Sequence, residues 1–150
     1  MVVDVIIPVY RPEREKLTKL IDWLNKQTVK PSRVFFMQTL VEKNEDEEVL
    51  QMLQKAENVE IVPIEKKDFD HGGTRNKGAA LSKADYMLFM TQDAVPVDAY
   101  LIENLVQAME EEEAATAYGR QLPDDTVGVI EHYTRAVSYT HLTLPTNSRV

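Results

Sequence analysis

The opening residues constrain the fold more than any other stretch. Val3-Asp-Val-Ile-Ile-Pro is apolar at consecutive positions apart from Asp4. A strand of that kind needs cover on both faces, which places it centrally in a parallel sheet. Similar short runs recur at residues 33–38, 59–64, 86–90 and 114–118. Segments with helical spacing lie between them. Leu17, Leu20, Ile21 and Leu24 fall at i, i+3, i+4 and i+7 of a helix expected over 12–26, with Pro12 at its first position. A second helix is expected over 45–56, with Val49, Met52, Leu53 and Ala56 as its buried stripe. The charged, glycine-bearing stretch 65–73 reads as a loop, and Thr74 as the N-cap of a short helix through Leu81. Asp98 should cap a fourth helix carrying Leu101, Leu105, Val106 and Met109. This alternation predicts an α/β fold: a doubly wound, mostly parallel sheet with helices on both faces and right-handed crossovers.

At 150 residues and 43% hydrophobic, the chain suits one domain with a real core. Cysteine is absent, which excludes a disulfide framework, a zinc-thiolate site and a thiol nucleophile, and fits a cytoplasmic setting. The apolar run 2–9 contains Asp4 and Pro8 and lacks a basic leader, so it reads as neither signal peptide nor membrane span. The formal net charge of −8 argues against a nucleic-acid partner. It also means that an anionic ligand needs local compensation by Arg, Lys, helix N-termini or a divalent cation. The acidic clusters at 45–48 and 110–113 read as solvated faces.

After Gly119 the regular alternation stops, and residues 137–150 contain no acidic residue, unlike the body before them. That end reads as translated adapter or vector sequence. The expected organisation is one domain over 1–136 and a non-native tail over 137–150.

The run from Tyr86 ends in a carboxylate, Asp93, just where ligands bind in open α/β sheets, beyond the strands' carboxyl ends. A glycine-rich turn, His71-Gly72-Gly73-Thr74-Arg75-Asn76, stands upstream. Two readings remain open on these residues alone: a metal-assisted site for a phosphorylated ligand, or a solvated Asp opening a turn before Pro96. Two nucleotide motifs are excluded. Pro8-Val9-Tyr10-Arg11-Pro12 stands where a dinucleotide fold has G-x-G-x-x-G, and Asn76-Lys77-Gly78 lacks the Ser or Thr of a P-loop.

Three segments together resemble glycosyltransferase family 2: Val3-Asp-Val-Ile-Ile-Pro-Val-Tyr10, Gly73-Thr-Arg-Asn-Lys-Gly78 and Tyr86-Met-Leu-Phe-Met-Thr-Gln-Asp93. With Asp68-Phe-Asp-His-Gly72 and Tyr118-Gly-Arg-Gln-Leu-Pro123, the pattern looks most like its rhamnosyltransferase-type members. The resemblance covers roughly residues 2–135, which would be the N-terminal, donor-binding part of such an enzyme. It implies the GT-A fold, a Rossmann-like nucleotide-sugar-binding domain. It also implies transfer of a sugar from a nucleoside-diphosphate sugar, with dTDP-rhamnose the first candidate. The acceptor would be a saccharide or lipid-linked molecule in cell-surface polysaccharide synthesis. Transfer would be inverting, with Mg²⁺ or Mn²⁺ as cofactor, and the setting cytoplasmic or at the cytoplasmic face of a membrane. Peripheral membrane association of a longer protein is compatible with it. The alternative is a non-catalytic nucleotide-binding or regulatory domain of the same fold.

By this resemblance Asp93 matches the last Asp of the family's D-x-D motif and is the metal ligand, while Thr91 stands where the first Asp would be. Pro8, Val9 and Tyr10, with Arg11 beside them, match the segment that lines base and ribose. Gln38 and Thr39 occupy the place of an Asp pair that binds the base, and Thr39 keeps hydrogen-bonding capacity there. Arg75 and Asn76 match an Arg-Asn pair suited to phosphates or sugar. Asp70, His71 and Gln92 complete the donor-site candidates. The catalytic base is expected beyond this chain, since Glu131 is the only carboxylate after Asp125 and suits a shaping role better.

Overall fold

A computed structural model describes residues 1–40, 51, 53, 58–120 and 122. Among these residues four strands form one sheet: β1 (Val3–Val9), β2 (Arg33–Thr39), β3 (Val59–Ile64) and β4 (Tyr86–Phe89). They stand in the order β3-β2-β1-β4, and every pairing is parallel. β1 is interior, with Val5 opposite Val34 on one side and Leu88 on the other.

Successive strand residues face opposite sides, so the unbroken apolar run of β1 feeds two cores. Val3, Val5, Ile7 and Val9 enter one of them. There they meet Leu17, Leu20 and Leu24 of α1 (Arg14–Asn25) and Ile102 and Val106 of α3 (Leu101–Glu111). Ile6 turns the other way and packs with Phe35, Met37 and Ala79, the last from α2 (His71–Leu81). Helices therefore cover both faces, as the doubly wound expectation required. Each fully buried Ile or Leu contributes about 1.5–3 kcal/mol through area removed from water.

At the amino ends of the strands, Asp4 is 1% exposed and accepts from Arg33 (3.0 Å) and from the Ser82 hydroxyl (2.7 Å). This fastens the end of α2 to β1 and β2, and the Arg33 guanidinium lies 4.7 Å from the Phe35 ring centroid.

Several expected boundaries are corrected. α2 starts at His71, not after Thr74: the Asp70 carboxylate accepts from Gly73 N–H at 2.6 Å and is the cap, while Thr74 is buried inside the first turns. A carboxylate three residues ahead of an open amide is the better acceptor. α1 begins at Arg14 with Glu13 as its cap residue, so Pro12 precedes the helix. Asp98 accepts from Tyr100 N–H (2.8 Å), just ahead of α3. The first-turn amide of Ile102 is instead taken by the buried Gln27 side chain (3.2 Å), which also donates to Asp98 O (2.8 Å).

Residues 114–118 are not a strand. Glu113 turns the chain at φ 49, and Ala114 N–H bonds back to Met109 O (2.9 Å), closing α3. Ala-Ala-Thr-Ala offers too little side chain to cover a pleated surface. The helix expected over 45–56 lies outside the described residues except for Gln51 and Leu53, both helical, with Leu53 fully buried.

The chain divides into two compact units, Met1–Ala115 and Thr116–Val150, and the sheet belongs to the first. In the second, residues 116–120 and 122 are irregular, and Glu131 and the tail 137–150 lie outside the described residues. No described helix is long and apolar enough to cross a membrane.

Candidate functional site

The sheet's carboxyl ends carry the nominated residues in two clusters. The first joins β1 to the segment after β4. Pro8 and Val9 close β1, and Tyr10 follows at 37% exposure with the Arg11 guanidinium 5.5 Å from its ring centroid. Arg11 adopts φ 42, a left-handed conformation uncommon outside glycine. Gln92 meets this corner directly: Tyr10 N–H donates to Gln92 Oε1 (2.8 Å), and Gln92 Nε2 donates to Tyr10 O (3.0 Å). Asp93 follows on a turn closed by Ala94 N–H to Thr91 O (3.1 Å), with its side chain exposed.

The second cluster surrounds the start of α2. Asp70 is committed to Gly73 N–H. A Cβ on Gly73 would stand 2.7 Å from that carboxylate, so the tight cap favours glycine there. His71 packs edge-on against Phe69, ring centroids 5.0 Å apart. Arg75 Nη1 donates to His71 O (3.0 Å), folding the guanidinium back on its own helix, and Asn76 is exposed.

Beside this cluster lies a cleft of about 350 Å³, lined by Leu40, Pro63, Ile64, Glu65, Asp68, Gly73, Thr74 and Lys77. None of the nominated residues lines it, although Thr39 and Arg75 are sequence neighbours of two that do. Thr74 presents a buried hydroxyl without a hydrogen-bond partner, and Thr39, at the end of β2, has another. Glu65 and Asp68 face a single lining lysine, and Glu65 is already paired with Lys67 (2.8 Å). The cleft thus has no surplus of positive charge. It suits a neutral group that exchanges hydrogen bonds rather than a phosphate.

Sequence reasoning passed over this cleft. The available signal was the spacing of Thr74 and Gly78, i and i+4 on the face of α2 that turns inward.

The donor set for a cation is sparse. No group of three His, Cys, Asp or Glu side chains converges among the described residues. Asp93 offers one exposed hard-oxygen carboxylate, which fits Mg²⁺ or Mn²⁺ when a phosphorylated ligand and water supply the other positions.

The sequence profile described as glycosyl transferase family 2 matches residues 4–149. The chain is 31% identical over 140 residues to the O-antigen chain rhamnosyltransferase RfbN of Salmonella typhimurium, covering 93% of this chain and 43% of that protein. It is 26% identical over 135 residues to the O-antigen chain rhamnosyltransferase WbaN of Salmonella anatum, covering 89% and 41%. The chain therefore spans less than half the length of these relatives. Among solved structures, residues 1–349 of S. aureus TarS superpose with a TM-score of 0.60 at 16% identity, covering 83% of this chain and 40% of that one. The same TarS fragment in complex with UDP-GlcNAc superposes with a TM-score of 0.58 at 18% identity, covering 83% and 37%.

Proposed function

The chain belongs to glycosyl transferase family 2, and from that premise we propose that it is the donor-binding part of an inverting glycosyltransferase. The whole enzyme would move a sugar from a nucleoside-diphosphate sugar to a saccharide or lipid-linked acceptor in cell-surface polysaccharide synthesis. Rhamnose is the sugar favoured by the two rhamnosyltransferase relatives, and dTDP-rhamnose the first donor to try. The reaction would take place on the cytoplasmic side of the membrane.

The observation that supports this reading is the convergence of Tyr10 and the turn carrying Asp93 beyond the carboxyl ends of β1 and β4, where the Gln92 amide ties the two together. The charge-balanced cleft at the ends of β2 and β3 suits a neutral part of the donor, leaving the diphosphate to the side of Asp93.

Division of labour follows from the chemistry of each side chain. Tyr10, at the end of β1, gives an aromatic face to the base or ribose. At the start of α2 the Asp70 carboxylate already takes the Gly73 amide and supplies its own negative charge. Arg75 and Asn76, in the helix's next turn, are the donors it offers to the phosphates or sugar. Asp93 is the residue that would hold a divalent cation. When bound, the cation supplies Lewis-acid stabilisation of the leaving diphosphate. The base that takes the acceptor's proton belongs to the acceptor side, downstream of this unit.

A donor screen on the longer natural protein tests the proposal. Transfer from dTDP-rhamnose is the expected result. Turnover of a uridine-diphosphate hexose alone would overturn the rhamnose assignment and keep the transferase. Nucleotide binding without transfer from any donor would favour a non-catalytic domain instead.

A further inference from the structure

The β1–β4 ladder ends early. Its last matched pair is Ile6 and Phe89, followed by Met90 N–H to Ile6 O at 3.1 Å. The paired register of β1 and β4 stops there, although β1 runs on to Val9. The Gln92 amide spans the gap, accepting from Tyr10 N–H and donating to Tyr10 O. One side chain thus reproduces the two bonds that a neighbouring strand would supply. The next residue, Arg11, holds φ 42, a conformation that persists only where its surroundings over-determine it.

We infer that Gln92 is a positioning residue: its amide latches the Tyr10–Arg11 corner in the shape that receives the nucleotide, and it does not itself contact the donor. The inference rests on the donor-site reading above. Its physical basis is the double requirement for a donor and an acceptor on one planar group, which Gln meets from this turn. Glutamate keeps the acceptor alone, and methionine, of similar length, keeps neither. With the amide gone, Tyr10 N–H and O return to water and the left-handed corner loses its brace. Tyr10 and Arg11 then sample other directions, and the nucleotide must order them on binding.

The experiment compares the wild-type chain with Gln92→Met and Gln92→Glu. Hydrogen exchange at the Tyr10 amide is read alongside the affinity for thymidine diphosphate with Mn²⁺. In Gln92→Met, Tyr10 should exchange faster and the affinity should fall, each by about tenfold, as expected for losing two ordinary hydrogen bonds. In Gln92→Glu, Tyr10 should stay protected, because a carboxylate still accepts from its N–H. An affinity loss with unchanged Tyr10 exchange would overturn the inference by placing Gln92 on the nucleotide. Faster exchange with unchanged affinity would overturn it by separating the corner from binding. A wild-type chain that binds no nucleoside diphosphate would overturn the donor-site reading itself.

Discussion

Gly78 sits where no side chain fits: a Cβ there would stand 2.6 Å from Cγ2 of Ile6 and 3.2 Å from Sδ of Met37. This close approach seats α2 on the sheet and sets the height of its first turn above the ends of β2 and β3. Gly78→Val should lower the free energy of unfolding by about 1–3 kcal/mol, because overpacking outweighs the better helix propensity of valine. Denaturant titration of both chains measures it, and an unchanged midpoint would mean that the helix lifts without cost.

Asp70 is a cap before it is anything else. Asp70→Ala should destabilise the chain by about 0.5–2 kcal/mol, and Asp70→Asn, which keeps an acceptor oxygen, by less. Thermal unfolding of the two variants checks the order. Equal losses would show that charge, and not the hydrogen bond to Gly73, is what matters.

The Thr74 hydroxyl bears on stability and not on binding, because it is sealed beneath the cleft. Thr74→Val keeps the shape and removes the unpartnered buried hydroxyl, so the free chain should gain up to about 1 kcal/mol. Its affinity for thymidine should match the wild type, because the hydroxyl is closed off from any ligand in the cleft. Calorimetry with the nucleoside and denaturant titration of the free variant read the two effects separately. A variant that binds thymidine more weakly than the wild type would mean that the hydroxyl opens toward the ligand.

Asp93 lies at an exposed turn outside both cores. Asp93→Asn should leave stability within about 0.5 kcal/mol of the wild type. It should weaken thymidine diphosphate binding in the presence of Mn²⁺ far more than in its absence. Equal affinities of mutant and wild type with Mn²⁺ present would take Asp93 out of the metal site.

The Tyr86 hydroxyl is held above its ordinary value of 10.0, chiefly because it donates to Glu110 Oε1 at 3.1 Å and with a smaller contribution from burial. The fold thus favours the neutral phenol. The stability this adds is fully present below the unfolded value and is lost as pH rises through the higher folded one. Unfolding midpoints of the wild type and Tyr86→Phe, followed from neutral to strongly alkaline pH, should differ most below about pH 10 and converge above it. A gap that widens on the alkaline side would reverse the sign and exclude this pairing.

The strands were legible because consecutive apolar residues have few other uses. The expected 3–8, 33–38 and 86–90 became Val3–Val9, Arg33–Thr39 and Tyr86–Phe89, while Val59–Ile64 needed no change. Residues 114–118 failed for the same reason the others succeeded: alanine is apolar by class but brings little surface to bury. That Asp93 would stand just beyond a strand's carboxyl end was legible too, since a carboxylate closing an apolar run marks the strand's tip.

The partners of the polar groups were not legible. Gln92 serves Tyr10 from 82 residues away, and Gln27 serves Ile102 from 75. The hydroxyls of Thr39 and Thr74 are buried yet unpaired. Hydrophobic burial is non-directional, so a pattern of apolar residues determines which segments form the core almost without regard to detail. Hydrogen bonds demand specific distances and angles. An amide or a hydroxyl carries the same capacity wherever it stands in the chain. Only the folded sheet, by bringing the ends of β1 and β4 together, decided that the Gln92 amide would be spent on the backbone of Tyr10, and only the depth of α2 left the Thr74 hydroxyl buried without a partner.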